Sequence, residues 1–157
     1  MNMTNEATFK SESELKYLVA QALDTLVSEN IDWLDTNLEA EYVRPIRPDF
    51  LGRYEDGCYA IVELKMVSKA IEESNRNPYD PMRQVVGQCL HYFHALSEFV
   101  EGSKDLNEDS LKEVAQIFRI FIVTDVYAEP IENMCKLLRA HGFQINYIDA
   151  TSFFENF

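Results

Sequence analysis

A nearly uninterrupted run of apolar residues constrains this chain more than any other feature of its sequence. The run covers residues 117–123 and contains one charged residue, Arg119. A strand that is apolar along its whole length is typical of the interior of a sheet covered on both faces. Helices are the usual cover, so the run predicts an α/β (α+β) protein with a central sheet flanked by helices.

The other elements are predicted from hydrophobic periodicity and from capping and turn residues. In chain order they are a helix from Ser11 to about Asn30, strands at 40–46, 48–54 and 58–66, a helix from Asp80 to about Val100, an acidic connection from Glu101 to Glu113, the 117–123 strand, a helix from Glu129 to Gly142, and a strand around 143–147. Gly52 and Gly57 are interpreted as turn residues between the early strands. The helix between the 58–66 and 117–123 strands predicts a parallel crossover, and therefore a mixed sheet.

Length and composition fit a single domain over residues 1–157. The chain is 46% apolar, which suffices for one core. Residues 1–10 are polar, and we expect them to be flexible. We expect a cytoplasmic protein, because the three cysteines lack paired spacing and the N-terminus does not resemble a signal peptide. No apolar run is long enough to cross a membrane, so no membrane association is expected.

Two carboxylates and a lysine lie on neighbouring predicted strands. Asp49 belongs to the 48–54 strand, and Glu63 and Lys65 share one face of the 58–66 strand. Carboxylates held close together repel each other, which raises the pKa of one unless a cation lies between them. Mg²⁺ prefers such oxygen ligands, and a lysine on the same face can stabilise charge that develops on a phosphate. The pattern predicts a Mg²⁺ or Mn²⁺ site.

These residues resemble a known family. Pro48-Asp49 followed by Glu63-Leu64-Lys65 is similar to the PD-(D/E)xK motif of the restriction-endonuclease-like nuclease superfamily, and the predicted element order is similar to its αβββαβ core. Residues 88–92, Gln-Cys-Leu-His-Tyr, fit the Q-x-x-x-Y pattern of its RecB-like members. The resemblance covers residues from about 11 to 125 and leaves the last helix and strand as an addition.

The resemblance implies a role for each matching residue of the strands. Asp49 and Glu63 would bind the metal together with the backbone carbonyl of Leu64. Lys65 would be the catalytic lysine. The implied reaction is hydrolysis of phosphodiester bonds in nucleic acid, with DNA the expected substrate, by a water molecule that the metal activates.

The helices contribute further candidates. Gln88 and Tyr92 would line the substrate groove or steady the lysine, or they are flank residues of an ordinary helix. Gln84 lies one turn earlier and shares that role or is simply solvated. Glu14 is either a metal ligand from the first helix or, with Ser11, a capping box at its start, and we favour the cap.

A long polar segment follows the proposed catalytic lysine, and its residues are weaker candidates. Those that could contact phosphate or a base are Lys69, Arg76, Tyr79 and Arg83, with a solvated loop as the alternative. His91 and His94 have helical ligand spacing but no third zinc ligand, so they are interpreted as surface residues. Asp125 is interpreted as a turn acid.

Three other interpretations compete with the nuclease hypothesis. In the first, Asp49 is a turn acid, and Glu63 and Lys65 form an exposed ion pair of little energetic value. In the second, the nuclease fold serves only for binding, as a subunit of a defence, repair or phage complex or with a second copy of the chain. In the third, the acidic chain is a DNA mimic.

The net charge of −13 limits how the chain can bind nucleic acid. It argues against a broad surface that grips phosphates. The window from Arg44 to Arg83, however, holds seven basic and seven acidic residues, so the excess of acids lies elsewhere. We therefore expect weak, salt-sensitive binding unless a partner chain adds contacts.

Overall fold

The structure, a computed structural model, describes residues 9–34, 48–69, 84, 85, 87, 88, 91, 92, 94 and 107–155. The helices are α1 (Glu12–Gln21), α2 (Leu23–Val27), α3 (Glu108–Ile117), α4 (Glu129–Ala140) and α5 (Ala150–Glu155). The strands are β1 (Asp32–Leu34), β2 (Phe50–Arg53), β3 (Tyr59–Lys65), β4 (Phe118–Thr124) and β5 (Gln144–Asp149). The described residues between 84 and 94 are also helical, and we call them the 84–94 segment.

The five strands form one mixed sheet in the order β1-β2-β3-β4-β5. β2 is antiparallel to β1 and β3, whereas β4 is parallel to β3 and β5. The apolar run is thus an interior strand, and the predicted parallel pairing with β3 is confirmed. The predicted α+β class, with an αβββαβ order in a mixed sheet, is also confirmed.

Two cores, one on each face of the sheet, meet at β3. On one face Val62 and Leu64 pack with residues of α1, α2 and the start of α5. On the other face Ile61 packs with Val85 and Tyr92 of the 84–94 segment and with apolar residues of α4. Alternation along β3 therefore sends Glu63 and Lys65 towards the side of the 84–94 segment.

The first predicted helix is in fact two helices. α1 begins after Ser11, whose Oγ accepts a hydrogen bond from the Glu14 N–H at 3.1 Å, as expected for an N-cap. The helix is interrupted at Ala22, and α2 ends at Ser28, which has left-handed backbone (φ 59°). The interruption separates two short helices that both contribute to the core on their face of the sheet.

Gly52 lies inside β2 and pairs with Trp33, so its interpretation as a turn residue is wrong. A Cβ atom at this position would lie 2.6 Å from Ile31 Cδ1 and 2.9 Å from Trp33 Cε3. The glycine is required because the side chains around β1 pack directly on its backbone. Gly57, with φ +92°, does occupy the turn between β2 and β3.

Other boundaries also differ from the predictions. Residues 108–117 form α3 rather than an acidic connection, and α5 was not predicted. The first strand of the sheet is β1, whereas the predicted 40–46 strand lies outside the described residues. Phe9 is buried against Phe154, with ring centroids 6.0 Å apart, whereas residues 1–8 lie outside the described residues. Within the described ranges, the helices are too short or too polar to cross a bilayer.

Candidate active site

The register of the sheet brings Asp49 and Glu63 together. Phe50 pairs with Val62, so Asp49, one residue earlier, lies opposite Glu63. The Asp49 Oδ2 atom accepts a hydrogen bond from the Leu64 N–H at 2.8 Å, which holds the carboxylate against the end of β3. The two acids predicted from the sequence therefore share one location.

Both acids lie where ionisation is unfavourable. Glu63 is 6% exposed, and burial together with the neighbouring Asp49 carboxylate raises its pKa from 4.5 to about 8. Burial also raises the pKa of Asp49, although the Leu64 N–H and the Lys16 ammonium group oppose this shift. The protein thus places two carboxyl groups side by side where burial disfavours the ionised form of each.

The 84–94 segment contacts both candidate side chains of β3, Glu63 and Lys65. The Tyr92 hydroxyl donates a hydrogen bond to Glu63 Oε2 at 3.0 Å, and Lys65 Nζ donates one to Gln84 Oε1 at 2.5 Å. An exposed Glu63–Lys65 ion pair was the alternative, and it is wrong because Glu63 is buried. Gln84 and Gln88 are both exposed, and Gln84 is the one whose side chain accepts a hydrogen bond from Lys65.

α1 brings two charged residues to the site that sequence reasoning missed. Lys16 Nζ lies 3.8 Å from Asp49 Oδ1. Glu12, one turn before Lys16, adds to the negative field that raises the pKa of both acids of the pair. Glu14 instead accepts a hydrogen bond from the Lys10 N–H at 3.1 Å, in keeping with the favoured capping role. No sequence signal connects Lys16 with Asp49, because only the packing of α1 on the sheet makes them neighbours.

Asp125 is fully buried and holds the chain immediately after Lys65, so its interpretation as a simple turn acid is incomplete. Its carboxylate accepts hydrogen bonds from the Val67 N–H at 2.7 Å, the Ser68 N–H at 3.3 Å and the Ser68 hydroxyl. Its carbonyl accepts another from Thr151 Oγ1 at 2.6 Å. The sequence did contain a signal for this position. Asp125 directly follows β4, which is parallel to β3, and the carboxyl ends of parallel strands meet at the same edge of a sheet.

The acid pair is chemically suited to a divalent cation. Such an ion would favour the ionised form of both carboxyl groups, against the burial and the neighbouring acids that raise their pKa values. Among the described residues, no group of three or more His, Cys, Asp or Glu is arranged as metal ligands. The protein would therefore offer Asp49, Glu63 and the Leu64 carbonyl, and water and phosphate oxygens would complete the shell, as is usual for Mg²⁺.

The remaining candidates are either exposed or lie outside the described residues. Lys69, His91 and His94 are exposed, which agrees with a surface position for the histidines. Arg76, Tyr79 and Arg83 lie outside the described residues.

Comparisons with known proteins give one structural likeness. Neither a family model nor a curated protein matches the sequence. The crystal structure of a repair endonuclease from Pyrococcus abyssi is similar to this chain, with 19% sequence identity and a TM-score of 0.44. The similarity covers 92% of this chain and 48% of that chain, so this chain spans about half the length of its structural neighbour.

Proposed function

We propose that the protein is a PD-(D/E)xK-type nuclease that hydrolyses phosphodiester bonds of nucleic acid, with DNA as the expected substrate and Mg²⁺ or Mn²⁺ as cofactor. The observation that carries the proposal is the pairing of half-buried Asp49 with buried Glu63, in which both pKa values are raised, with Lys65 two residues further along β3. A structural ion pair would lower the pKa of its carboxylates. A pair of acids that oppose each other is costly, and such strain is characteristic of functional sites.

Each residue would have a distinct task. Asp49 and Glu63 would hold the ion, and Tyr92 would fix the Glu63 carboxylate through its hydroxyl. Lys65, oriented by Gln84, would stabilise the negative charge that develops on the phosphate. When bound, the ion would lower the pKa of a water molecule and neutralise phosphate oxygens.

Cleavage assays test this proposal. The purified protein is incubated with single- and double-stranded DNA and RNA in the presence of Mg²⁺ or Mn²⁺. We expect cleavage by the wild type and by Lys136→Ala, which removes an exposed lysine of α4, and a loss of at least about a hundredfold in Lys65→Ala. Equal inactivity of the wild type and Lys65→Ala on every substrate would contradict the proposal.

A binding subunit that has kept the nuclease fold is the second candidate. It is favoured by the net charge of −13 and by the small number of acids at the site. Calorimetric titration with Mn²⁺ separates the candidates, because only an enzyme needs Mn²⁺ binding that Asp49→Asn abolishes. A DNA mimic is not favoured, since its acids must be exposed to imitate phosphates and Glu63 is buried.

A further inference from the structure

Lys16 is a second lysine beside the acid pair, and the proposed reaction gives it no task. Its Nζ atom lies 3.8 Å from Asp49 Oδ1 and 5.7 Å from the centre of the Phe50 ring. Its side chain is 51% exposed, whereas that of Asp49 is 19% exposed. Lys16 is therefore the more accessible member of this pair, and its long side chain is open to a ligand in solution.

Fold stability does not explain this lysine. An ion pair with one half-exposed partner contributes little, because solvent screens the attraction and the long side chain loses rotamer freedom. Its ammonium group is instead placed at the site, since its Nζ atom lies 3.8 Å from Asp49 Oδ1. A divalent cation bound to Asp49 would neutralise this carboxylate and repel the ammonium group.

Lys16 and Lys65 approach the acid pair from opposite faces of the sheet. α1 packs on the face that contains Leu64, whereas Lys65 contacts Gln84 in the segment on the other face. A lysine side chain is a flexible stem with a strongly hydrated point charge, so it can change partners without moving the backbone. A phosphate at the acid pair would therefore be within range of one lysine from each side.

We propose that Lys16 is a phosphate-binding residue: it neutralises Asp49 in the metal-free protein and transfers to a substrate phosphate when a divalent cation binds Asp49. The inference rests on the proposed function. It predicts that removing the Lys16 charge changes two affinities in opposite directions, which neither a structural nor a purely metal-binding role would do.

The test compares Lys16→Met, Lys16→Arg and Lys136→Met with the wild type. Lys136 is a matched control, because it is 59% exposed and paired with Glu132 at 3.3 Å in its own helix. Mn²⁺ binding is measured by calorimetry. Binding of a short single-stranded DNA is measured by fluorescence anisotropy in Mn²⁺, with all four proteins carrying Lys65→Ala so that the DNA stays intact.

We expect Lys16→Met to bind Mn²⁺ more tightly, by on the order of tenfold, because a repelling charge is removed. The same variant should bind DNA more weakly. The slope of log affinity against log salt should become less steep by about one, which corresponds to the loss of one phosphate contact. Lys16→Arg and Lys136→Met should stay close to the wild type in both measurements.

Two results would overturn the inference. If Lys16→Met matches Lys136→Met in DNA affinity and salt slope while wild-type protein binds Mn²⁺ and cleaves DNA, the Lys16 inference fails and the proposed function stands. If wild-type protein does not bind Mn²⁺, both fail together.

Discussion

At the residue scale, the Glu63 carboxyl group combines the two placements that most disfavour a negative charge, burial and a neighbouring carboxylate. Its pKa of about 8 lies well above 4.5, the ordinary value. The Tyr92 hydroxyl and the backbone at Asp49 offset part of this effect. Single substitutions of Glu63 and Tyr92 test separately how the site affects the free energy of unfolding and how it affects metal affinity.

The stability of the metal-free protein should depend on Glu63 ionisation. Between about pH 4.5 and about pH 8 the folded state binds more protons at Glu63 than the unfolded state does, so stability falls as pH rises through this interval. Glu63→Gln has no charge to bury, and should exceed the wild type at about pH 9 by roughly 2–4 kcal/mol but not at about pH 4.

Urea unfolding in the presence of a chelator measures this difference. Glu14→Gln serves as a control, because Glu14 is a partly exposed glutamate of the α1 cap. A wild type that is as stable as Glu63→Gln at high pH would show that Glu63 is not strained.

The Tyr92 hydroxyl should matter more for metal binding than for folding. Tyr92→Phe keeps the buried ring and removes the hydrogen bond to Glu63 Oε2. Residues that orient metal ligands typically contribute about tenfold or more to affinity, so we expect a loss of at least about tenfold for Mn²⁺ with a small change in stability. Unchanged Mn²⁺ affinity, measured by calorimetry, would refute the orienting role.

At the scale of elements, β2 and β3 are positioned by contacts on both of their sides. Gly52 lets the β1 region close on β2, and Asp125 ties the exit of β3 to the end of β4. Neither contact touches the acid pair directly. Both determine where the pair lies, because Asp49 precedes β2 and Glu63 lies near the end of β3.

Gly52→Ala should destabilise the protein through overpacking. The added methyl group would meet Ile31 and Trp33, and the Trp33 ring is held by a 2.9 Å hydrogen bond from its Nε1 to Asp24 Oδ1. A ring anchored in this way cannot move aside easily, so we expect a loss of about 1–3 kcal/mol in urea unfolding. Gly87→Ala is the control, because a Cβ there meets nothing within 4 Å; equal stability of the two variants would contradict the packing argument.

Asp125→Ala should destabilise the protein and weaken Mn²⁺ binding together. It would leave the buried Val67 N–H without its acceptor and free the chain after Lys65. We expect a loss of about 2–4 kcal/mol, since the buried Val67 N–H and two part-buried donors of Ser68 lose their acceptor. Asp125→Asn keeps one carbonyl oxygen as acceptor and should retain part of the stability; if Asp125→Ala unfolds like the wild type, the buried bonds contribute little.

At the scale of the whole molecule, the net charge of −13 comes from residues outside the window from Arg44 to Arg83, which is itself neutral. The described lysines beside or just after the acid pair are Lys16, Lys65 and Lys69. A binding surface with so few cations can neutralise only a few phosphates. The chain therefore differs electrostatically from proteins that hold nucleic acid through a broad basic face.

Binding of DNA by the isolated chain should follow this charge distribution. We expect weak binding with a slope of log affinity against log salt of about −2 to −3, corresponding to a few phosphate contacts. Fluorescence anisotropy over a range of salt concentrations in Mn²⁺ gives this slope. A slope steeper than about −6 would indicate a basic surface that the described residues do not form.

The sequence by itself determined the class of the fold and the identity of the acid pair. Both follow from local patterns. The apolar run predicted the interior strand, and the turn between two short strands placed Asp49 beside Glu63, which alternation puts on the same face as Lys65. These signals are strong because burial imposes a fixed period on a strand. The metal and nucleic-acid roles of these residues remain predictions.

Only the tertiary structure decided which other residues belong to the site. Lys16 was not predicted at all, Asp125 was interpreted only as a turn acid, and Gln84 was predicted only as an extension of the Gln88 row. They reach the motif because α1, the 84–94 segment and the end of β4 pack around β3. The residue type alone did not reveal the role of Gly52 either, because a glycine in a turn and a glycine beneath a tryptophan ring look identical until the neighbouring strand is in place.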